Sequence, residues 1–398
     1  MIQRSPDDDK RLLQLIKLTN FLSFGPETTS IDLKSLNILI GINGVGKSNL
    51  IEAVALMRAT PMDIGAVVRK GGGASEWIWK GERNSPATIE VVVSNPKGKQ
   101  SLVHLLSFFS ENQRFQLEDE RVENEDAYEG EKRPYFYYRF EGGHPIVNTN
   151  DKKRRHLARE TIDTTLSILS QRRDPEQYPE ISHLADSYGS IRIYREWSFG
   201  RNTVFREPQK ADMRNDRLEE DFSNLGLFLN KISRQHPKAK KEILEGLSEL
   251  YENLSDFNVS IEGGTVQVFL TENEFTIPAT RLSDGTLRYL CLLAILCDPE
   301  PPSLICIEEP ELGLHPDILP KLADYLVAAS KRTQLIVTTH SDILINAMTE
   351  RPEVVLVCEK HNGCTSVRRL KEEDLKVWLE KYRLGELWIQ GHLGGTRW

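Results

Sequence analysis

Cysteine is scarce and unpaired in this 398-residue chain. Its five residues, Cys291, Cys297, Cys306, Cys358 and Cys364, include no C-x-x-C pair and mostly sit inside apolar runs. That pattern excludes a disulfide framework and the common zinc motifs, and suits small core side chains in a reducing compartment. Apolar runs of membrane-spanning length are missing, and Met1 to Lys10 is polar and acidic. Neither a signal peptide nor a transmembrane helix is expected, so the expected location is cytoplasmic, with no membrane partner. No fixed-period repeat occurs, and no sustained heptads lie between Ser48 and Leu282, which excludes a long coiled-coil arm. Excess positive charge is lacking as well. With 51 Lys and Arg against 59 Asp and Glu, the net charge of −8 argues against nonspecific nucleic-acid binding by the whole surface.

What the chain does have is a complete phosphate-binding loop. Gly41-Ile42-Asn43-Gly44-Val45-Gly46-Lys47-Ser48 fits G-x-x-x-x-G-K-[ST] in full. An apolar run, Asn37 to Ile40, precedes it, and a helix-period stretch with Leu50, Ile51, Val54 and Met57 on one face follows. Glycines let successive backbone N–H groups turn inward around phosphate oxygens, and the helix N-terminus adds positive potential. Lys47 is expected to reach the β- and γ-phosphates of ATP, and the Ser48 hydroxyl to ligate Mg²⁺. Asn43, Gly44, Gly46, Lys47, Ser48 and Asn49 are the expected nucleotide contacts of this loop.

Three further motifs follow in the C-terminal third. Leu304 to Ile307 is apolar and ends in Glu308-Glu309-Pro310. Two carboxylates at the end of a buried strand are costly without compensation. In a triphosphate site Mg²⁺ compensates Glu308, and Glu309 orients and partly deprotonates the attacking water. Gln334 to Thr338 is a second buried strand, delivering His340 to the γ-phosphate and the water. Arg281-Leu282-Ser283-Asp284-Gly285 precedes an apolar helix, where a hydroxyl and backbone N–H groups make an anion site.

Between these motifs, strands are expected at Leu12–Leu18, Ile31–Leu33, Ala87–Ser94, Ser101–Ser110, Arg114–Glu118 and Tyr135–Glu141, forming an antiparallel sheet beside the nucleotide core. From Lys152 the period becomes helical, interrupted at Arg173-Asp174-Pro175. A strand at Ser190–Tyr194 and a helical stretch from Leu218 to Asn253 follow. A hairpin, Val259–Ile261 and Val266–Leu270, turns at Gly263-Gly264. Helix and strand then alternate: Thr286–Cys297, Leu304–Ile307, Ile318–Lys331, Gln334–Thr338 and Val354–Cys358. That alternation implies a parallel sheet covered by helices.

The four motifs in this order resemble the ATP-binding-cassette ATPases of the RecF/SMC/OLD branch, and more narrowly its stand-alone ATPases lacking both coiled coil and nuclease domain. Lys17 to Phe21, Ser167 to Arg173, Tyr194 to Trp197, Ser223 to Leu225 and the tail Gly394 to Trp398 add looser matches. The resemblance implies an α/β fold, an ABC-ATPase head with a mixed or parallel phosphate-loop core sheet, an antiparallel β subdomain and a helical insertion. The expected segments are 1–150, 151–257 and 258–398. By resemblance Glu308 takes the Walker B role, Glu309 is the catalytic carboxylate and His340 the switch histidine, with Lys47 completing the catalytic set. Ser283 and Gly285 are implied to bind the γ-phosphate of ATP held by another copy, in a head-to-tail dimer. Gln171 is the Q-loop candidate, touching nucleotide and Mg²⁺. Most such ATPases carry Asp where Glu308 stands.

An ATP-gated ATPase acting on a separate effector, in anti-phage defence, is the leading expectation. The alternatives are a RecF-like maintenance ATPase gripping nucleic acid through the Lys152 to Arg217 region, and an ATP-binding scaffold with little turnover. From Asp151 to Arg217 the chain holds fourteen Lys and Arg against eleven Asp and Glu. Glu359 is expected to be an ordinary strand end rather than part of a nuclease. The tail from Trp388 to Trp398 is expected either to fold back or to anchor the effector.

Overall fold

The computed structural model describes residues 11–82, 85–98, 100–141, 144–150, 154–157, 162–198, 200–251 and 253–395. Lys152 and Lys153 of the basic run, and the terminal Thr396-Arg397-Trp398, lie outside the described residues. Two compact units interleave along the chain. The first takes Met1–Ile191, Glu353–Lys371 and Gly391–Trp398, and the second takes Arg192–Pro352 and Glu372–Gln390.

The first unit opens with β1 (Leu13–Thr19), β2 (Thr29–Asp32), β3 (Leu36–Ile40), α1 (Lys47–Ala59), α2 (Ile64–Lys70) and α3 (Ala74–Trp77). Strands β4 (Ala87–Val93), β5 (Leu102–Glu111), β6 (Arg114–Asn124), β7 (Phe136–Glu141), β8 (His144–Asn148) and β9 (Arg154–His156) follow, then α4 (Ile168–Gln171) and α5 (Pro179–Ser190). An antiparallel sheet of eight strands runs in the order β2-β1-β4-β5-β6-β7-β8-β9. Its alternation is legible in the pairing: Ile89 faces Leu106, Val122 faces Tyr138, and Tyr138 faces Val147, all buried. Period-2 alternation puts these side chains on one face, where each fully buried aliphatic contributes about 1.5–3 kcal/mol.

Three readings of this region need correction. The chain from Lys152 is not helical at once, because Arg154–His156 pairs with β8 and extends the sheet. Strand β8 itself was not expected, and the Arg114–Glu118 strand continues to Asn124. Helix α1 buries more than one face, since Ala53, Ala55, Leu56 and Ala59 are covered along with the expected stripe.

In the second unit, β10 (Arg192–Tyr194), β11 (Gln209–Lys210), α6 (Leu225–Gln235) and α7 (Pro237–Ser248) lead to β12 (Leu254–Glu262), β13 (Thr265–Glu272) and β14 (Phe275–Pro278). Gly263 and Gly264, both at positive φ, make the two-residue turn between β12 and β13. Only such a turn matches the twist of the flanking strands, so the expected hairpin forms there. Next come α8 (Asp284–Leu296), β15 (Leu304–Glu308), α9 (Leu319–Ala329), β16 (Gln334–Thr338) and α10 (Asp342–Asn346). Strands β10, β15 and β16 are parallel, and α9 is the crossover that parallel pairing requires.

The chain then returns to the first unit as β17 (Val355–His361) and β18 (Cys364–Arg369). Strand β17 lies parallel to β3, and β18 is its antiparallel partner. Two helices, α11 (Glu372–Leu379) and α12 (Leu384–Ile389), belong to the second unit. Trp388 and Leu393 are both buried, so these parts of the tail fold back onto the chain. No helix among the described residues is long and apolar enough to cross a membrane.

Candidate nucleotide site

The phosphate loop bridges β3 and α1 with Gly41, Gly44 and Gly46 at φ of +145°, +79° and +100°. Side chains rarely adopt such angles, which is the local reason for glycine here. Space supplies a second reason. A β carbon at Gly41 would lie 2.5 Å from the Cys358 carbonyl oxygen, and one at Gly46 would collide with the Ser23 and Thr365 hydroxyls. A β carbon at Gly44 would meet nothing within 4 Å, and Asn43, Gly44 and Ser48 are exposed, leaving that side open to a ligand. Gly46 caps α1 without a side chain, so no side-chain cap competes for the first-turn N–H groups.

Lys47, 6 % exposed, donates its Nζ hydrogens to the carbonyls of Gly41 at 2.8 Å and Ile42 at 3.0 Å. Burial pushes the nearby Cys358 thiol up to about 12, with Lys47 pulling the other way. Asn49 points into the framework behind the loop: its Nδ2 donates to Ser23 Oγ at 2.6 Å. Thr365 Oγ1 lies 2.6 Å from both Ser23 Oγ and the Val45 carbonyl. The sequence assigns Ser23 and Thr365 no role of their own; its only signal is Ser23's place shortly after the first strand.

Gln171 is spent elsewhere. Its Oε1 accepts from Asp163 N at 2.9 Å, and its Nε2 donates to the carbonyls of Asp163 at 3.0 Å and Leu166 at 2.8 Å. The carboxamide therefore pins residues 163–167, and reaching a metal or phosphate requires these bonds to break.

Ser283, Gly285, Glu308, Glu309 and His340 all belong to the second unit. Glu308 closes β15, opposite Thr338 of β16, and its carbonyl accepts from Trp197 Nε1 at 2.8 Å. Glu309 turns sharply at φ +46°. A left-handed conformation costs a side-chain-bearing residue about 1–2 kcal/mol, so something must hold it. Its N–H donates to the Thr338 carbonyl at 3.0 Å, and its carbonyl accepts from Arg288 Nη2 at 2.6 Å. Arg288 is buried, with its guanidinium 4.1 Å from the centre of the Trp197 ring. Burial lowers its pKa to about 10, with Glu311 opposing. The turn brings Glu309 Oε1 within 3.4 Å of His340 Nε2.

His340 is fixed from a third side. Glu311 Oε1 accepts from the His340 N–H at 2.6 Å and from Thr339 Oγ1 at 2.8 Å, tying the loop after β16 to the loop after β15. Of Arg288, Glu311 and Trp197, only Trp197 falls within one of the looser matches that the sequence singles out. Their roles depend on contacts between separate elements.

At the start of α8, Ser283 Oγ accepts from Thr286 N at 3.1 Å. Arg206 pairs with Asp284 and donates to the Leu282 carbonyl at 2.6 Å, clamping this turn. Gly285 is needed for space, since a β carbon would stand 3.0 Å from the Gly313 carbonyl oxygen. Ser283, Gly285, Tyr251, Thr286, Gly313 and His315 line a cavity of about 670 Å³.

Residues 36–346 match the model of a family described as "AAA domain, putative AbiEii toxin, Type IV TA system". The chain is 21% identical over 392 residues to the Old nuclease of Escherichia phage P2, covering 91% of this chain and 61% of that protein. A solved Smc head bound to the C-terminal winged-helix domain of ScpA superposes with a TM-score of 0.58 at 16% identity, covering 91% of this chain and 99% of that one. The Smc head with an extended coiled coil bound to the C-terminal domain of ScpA, derived from Pyrococcus furiosus, gives 0.58 at 13% identity, over 93% and 99%. These likenesses establish the fold, the mixed α/β arrangement of an Smc ATPase head with antiparallel and parallel sheets. With most of its length inside the family model, the chain belongs to this AAA domain family.

Proposed function

We propose that the protein binds ATP with Mg²⁺ and hydrolyses it, closing head to tail with a second copy, and that this cycle regulates a separate effector in anti-phage defence. The observation that carries the hydrolysis reading is the Glu309–His340 pair, 3.4 Å apart at the ends of adjacent parallel strands. A carboxylate beside an imidazole can accept a proton from water and hold its orientation. Nucleotide binding rests on the glycine-shaped loop, the accessible Gly44 side and the buried Lys47 ammonium. No group of three or more His, Cys, Asp or Glu among the described residues could hold a metal ion alone. Ser48 and Glu308 are each proposed as Mg²⁺ ligands; the metal would neutralise phosphate charge and take further oxygen ligands from phosphate and water.

Regulation of a protein effector is supported by the Smc heads of this fold, which are seen bound to domains of ScpA. The defence setting is supported by the family description and by the phage-encoded Old nuclease, of which the chain spans 61%. Two substitutions test the chemistry. Lys47→Ala should abolish ATP binding in calorimetry by removing the point charge that faces the phosphates. Glu309→Gln should bind ATP normally yet lose turnover by about 10²–10⁴-fold, since an amide keeps the shape but is no base. Wild-type turnover by Glu309→Gln would remove Glu309 from the mechanism.

A further inference from the structure

The phosphate loop is shaped from behind by residues far from it in sequence. Thr365, in β18, is 3 % exposed, and its N–H donates to the Ser23 carbonyl at 2.8 Å. Its hydroxyl touches Ser23 Oγ and the Val45 carbonyl, yet one hydroxyl proton serves only one of them. Val45 O can only accept, and Asn49 enters through its donor Nδ2. One order satisfies every group: Asn49 Nδ2 donates to Ser23 Oγ, Ser23 to Thr365 Oγ1, and Thr365 to Val45 O. The same two hydroxyls fill the space behind Gly46, where a β carbon would collide with them.

We propose that Thr365 and Ser23 are positioning residues for the phosphate loop, holding the Val45 carbonyl outward so that neighbouring N–H groups stay turned toward phosphate. This rests on the reading of the loop as an ATP site. A peptide plane carries its C=O and the next N–H on opposite sides. Fixing Val45 O toward Thr365 therefore aims the Gly46 N–H away from Thr365. Losing the bond frees that plane to rotate, and a bound nucleotide must then reorder it. A further clamp sits at the loop's other end. Gly395 donates its N–H to Glu359 Oε1 at 3.2 Å, and a β carbon there would lie 3.4 Å from Gly41 Cα. Both ends of the loop thus lean on the returning β17–β18 hairpin and the tail that packs on it.

The test is calorimetric titration of the full-length protein with ATP and Mg²⁺, beside thermal unfolding without nucleotide. Thr365→Val keeps the shape and removes the hydroxyl; the dissociation constant should rise about tenfold, the worth of one buried hydrogen bond. Thr365→Ser restores the hydroxyl and should stay within about twofold of wild type. Ile89→Val, in the buried face of the eight-stranded sheet, lowers stability without touching the loop and should leave affinity unchanged. Affinity of Thr365→Val within twofold of wild type, or an equal loss in Ile89→Val, overturns the proposal. Wild-type binding that Lys47→Ala loses but Thr365→Val keeps overturns the positioning role alone. A wild-type protein that binds no ATP overturns the ATP-site reading with it.

Discussion

Glu309 holds a left-handed backbone at φ +46° because Arg288 and the Thr338 carbonyl grip its peptide groups on both sides. Arg288 can do this only because its own desolvation is offset by the Trp197 ring face and by nearby carboxylates. Removing the cation leaves the Glu309 carbonyl without its donor and the turn without its brace. Arg288→Met should cost about 1.5–3 kcal/mol in urea unfolding, the range for a hydrogen bond to a charged group. The same change should lower turnover at least tenfold with ATP affinity preserved, because it displaces Glu309 rather than the phosphate loop. Unchanged turnover would mean that Glu309 needs no such support.

Helix α8 begins on a charge arrangement that makes its stability depend on pH. Asp284 sits in the first turn, where a negative charge suits the helix dipole. Its hydrogen bond from Arg206 holds the carboxyl below the ordinary range, and the Gly200 N–H adds to this. A carboxyl with a depressed folded pKa stabilises the protein above its unfolded pKa, near 4. That contribution is lost as pH falls through the folded value. Asp284→Asn should therefore unfold at lower temperature than wild type at pH 7, and the gap should narrow as pH falls below the ordinary carboxyl range. A gap that stays constant as the solution is acidified would assign the effect to packing instead. The same turn carries Ser283 and Gly285, so the Arg206 clamp also sets the shape of their cavity.

For the whole molecule the expected event is association. In the proposed cycle Ser283 and Gly285 bind a neighbour's γ-phosphate, which makes ATP a ligand of the closed dimer and shifts the population toward it. Glu309→Gln, expected to bind without hydrolysing, should accumulate as a dimer when ATP and Mg²⁺ are added. Ser283→Arg should bind ATP and remain monomeric, because a long side chain enters the cavity beside Gly285. Multi-angle light scattering with and without ATP reads this directly. Identical nucleotide-dependent masses for both variants would argue against a site shared between copies.

Local rules carried much of this protein in its sequence. Positive φ at Gly41, Gly44 and Gly46 follows from a loop that must turn inward within a few residues, and Gly263-Gly264 fixes its hairpin for the same reason. Apolar runs ending in Glu308-Glu309 and before His340 put those groups at strand ends, since a buried strand has nowhere else to release charge. Tertiary structure decided what no short window contains. Thr365 meets Ser23 across 342 positions, and β17 returns beside β3 after the long Arg192–Pro352 segment of the second unit. Arg154–His156 became a strand because β8 offered an edge, although the local pattern suggested a helix. Gln171 turned inward because the 163–167 loop offered partners for its whole amide. Backbone geometry depends on neighbours in sequence, whereas the satisfaction of polar groups depends on neighbours in space, and only folding names those.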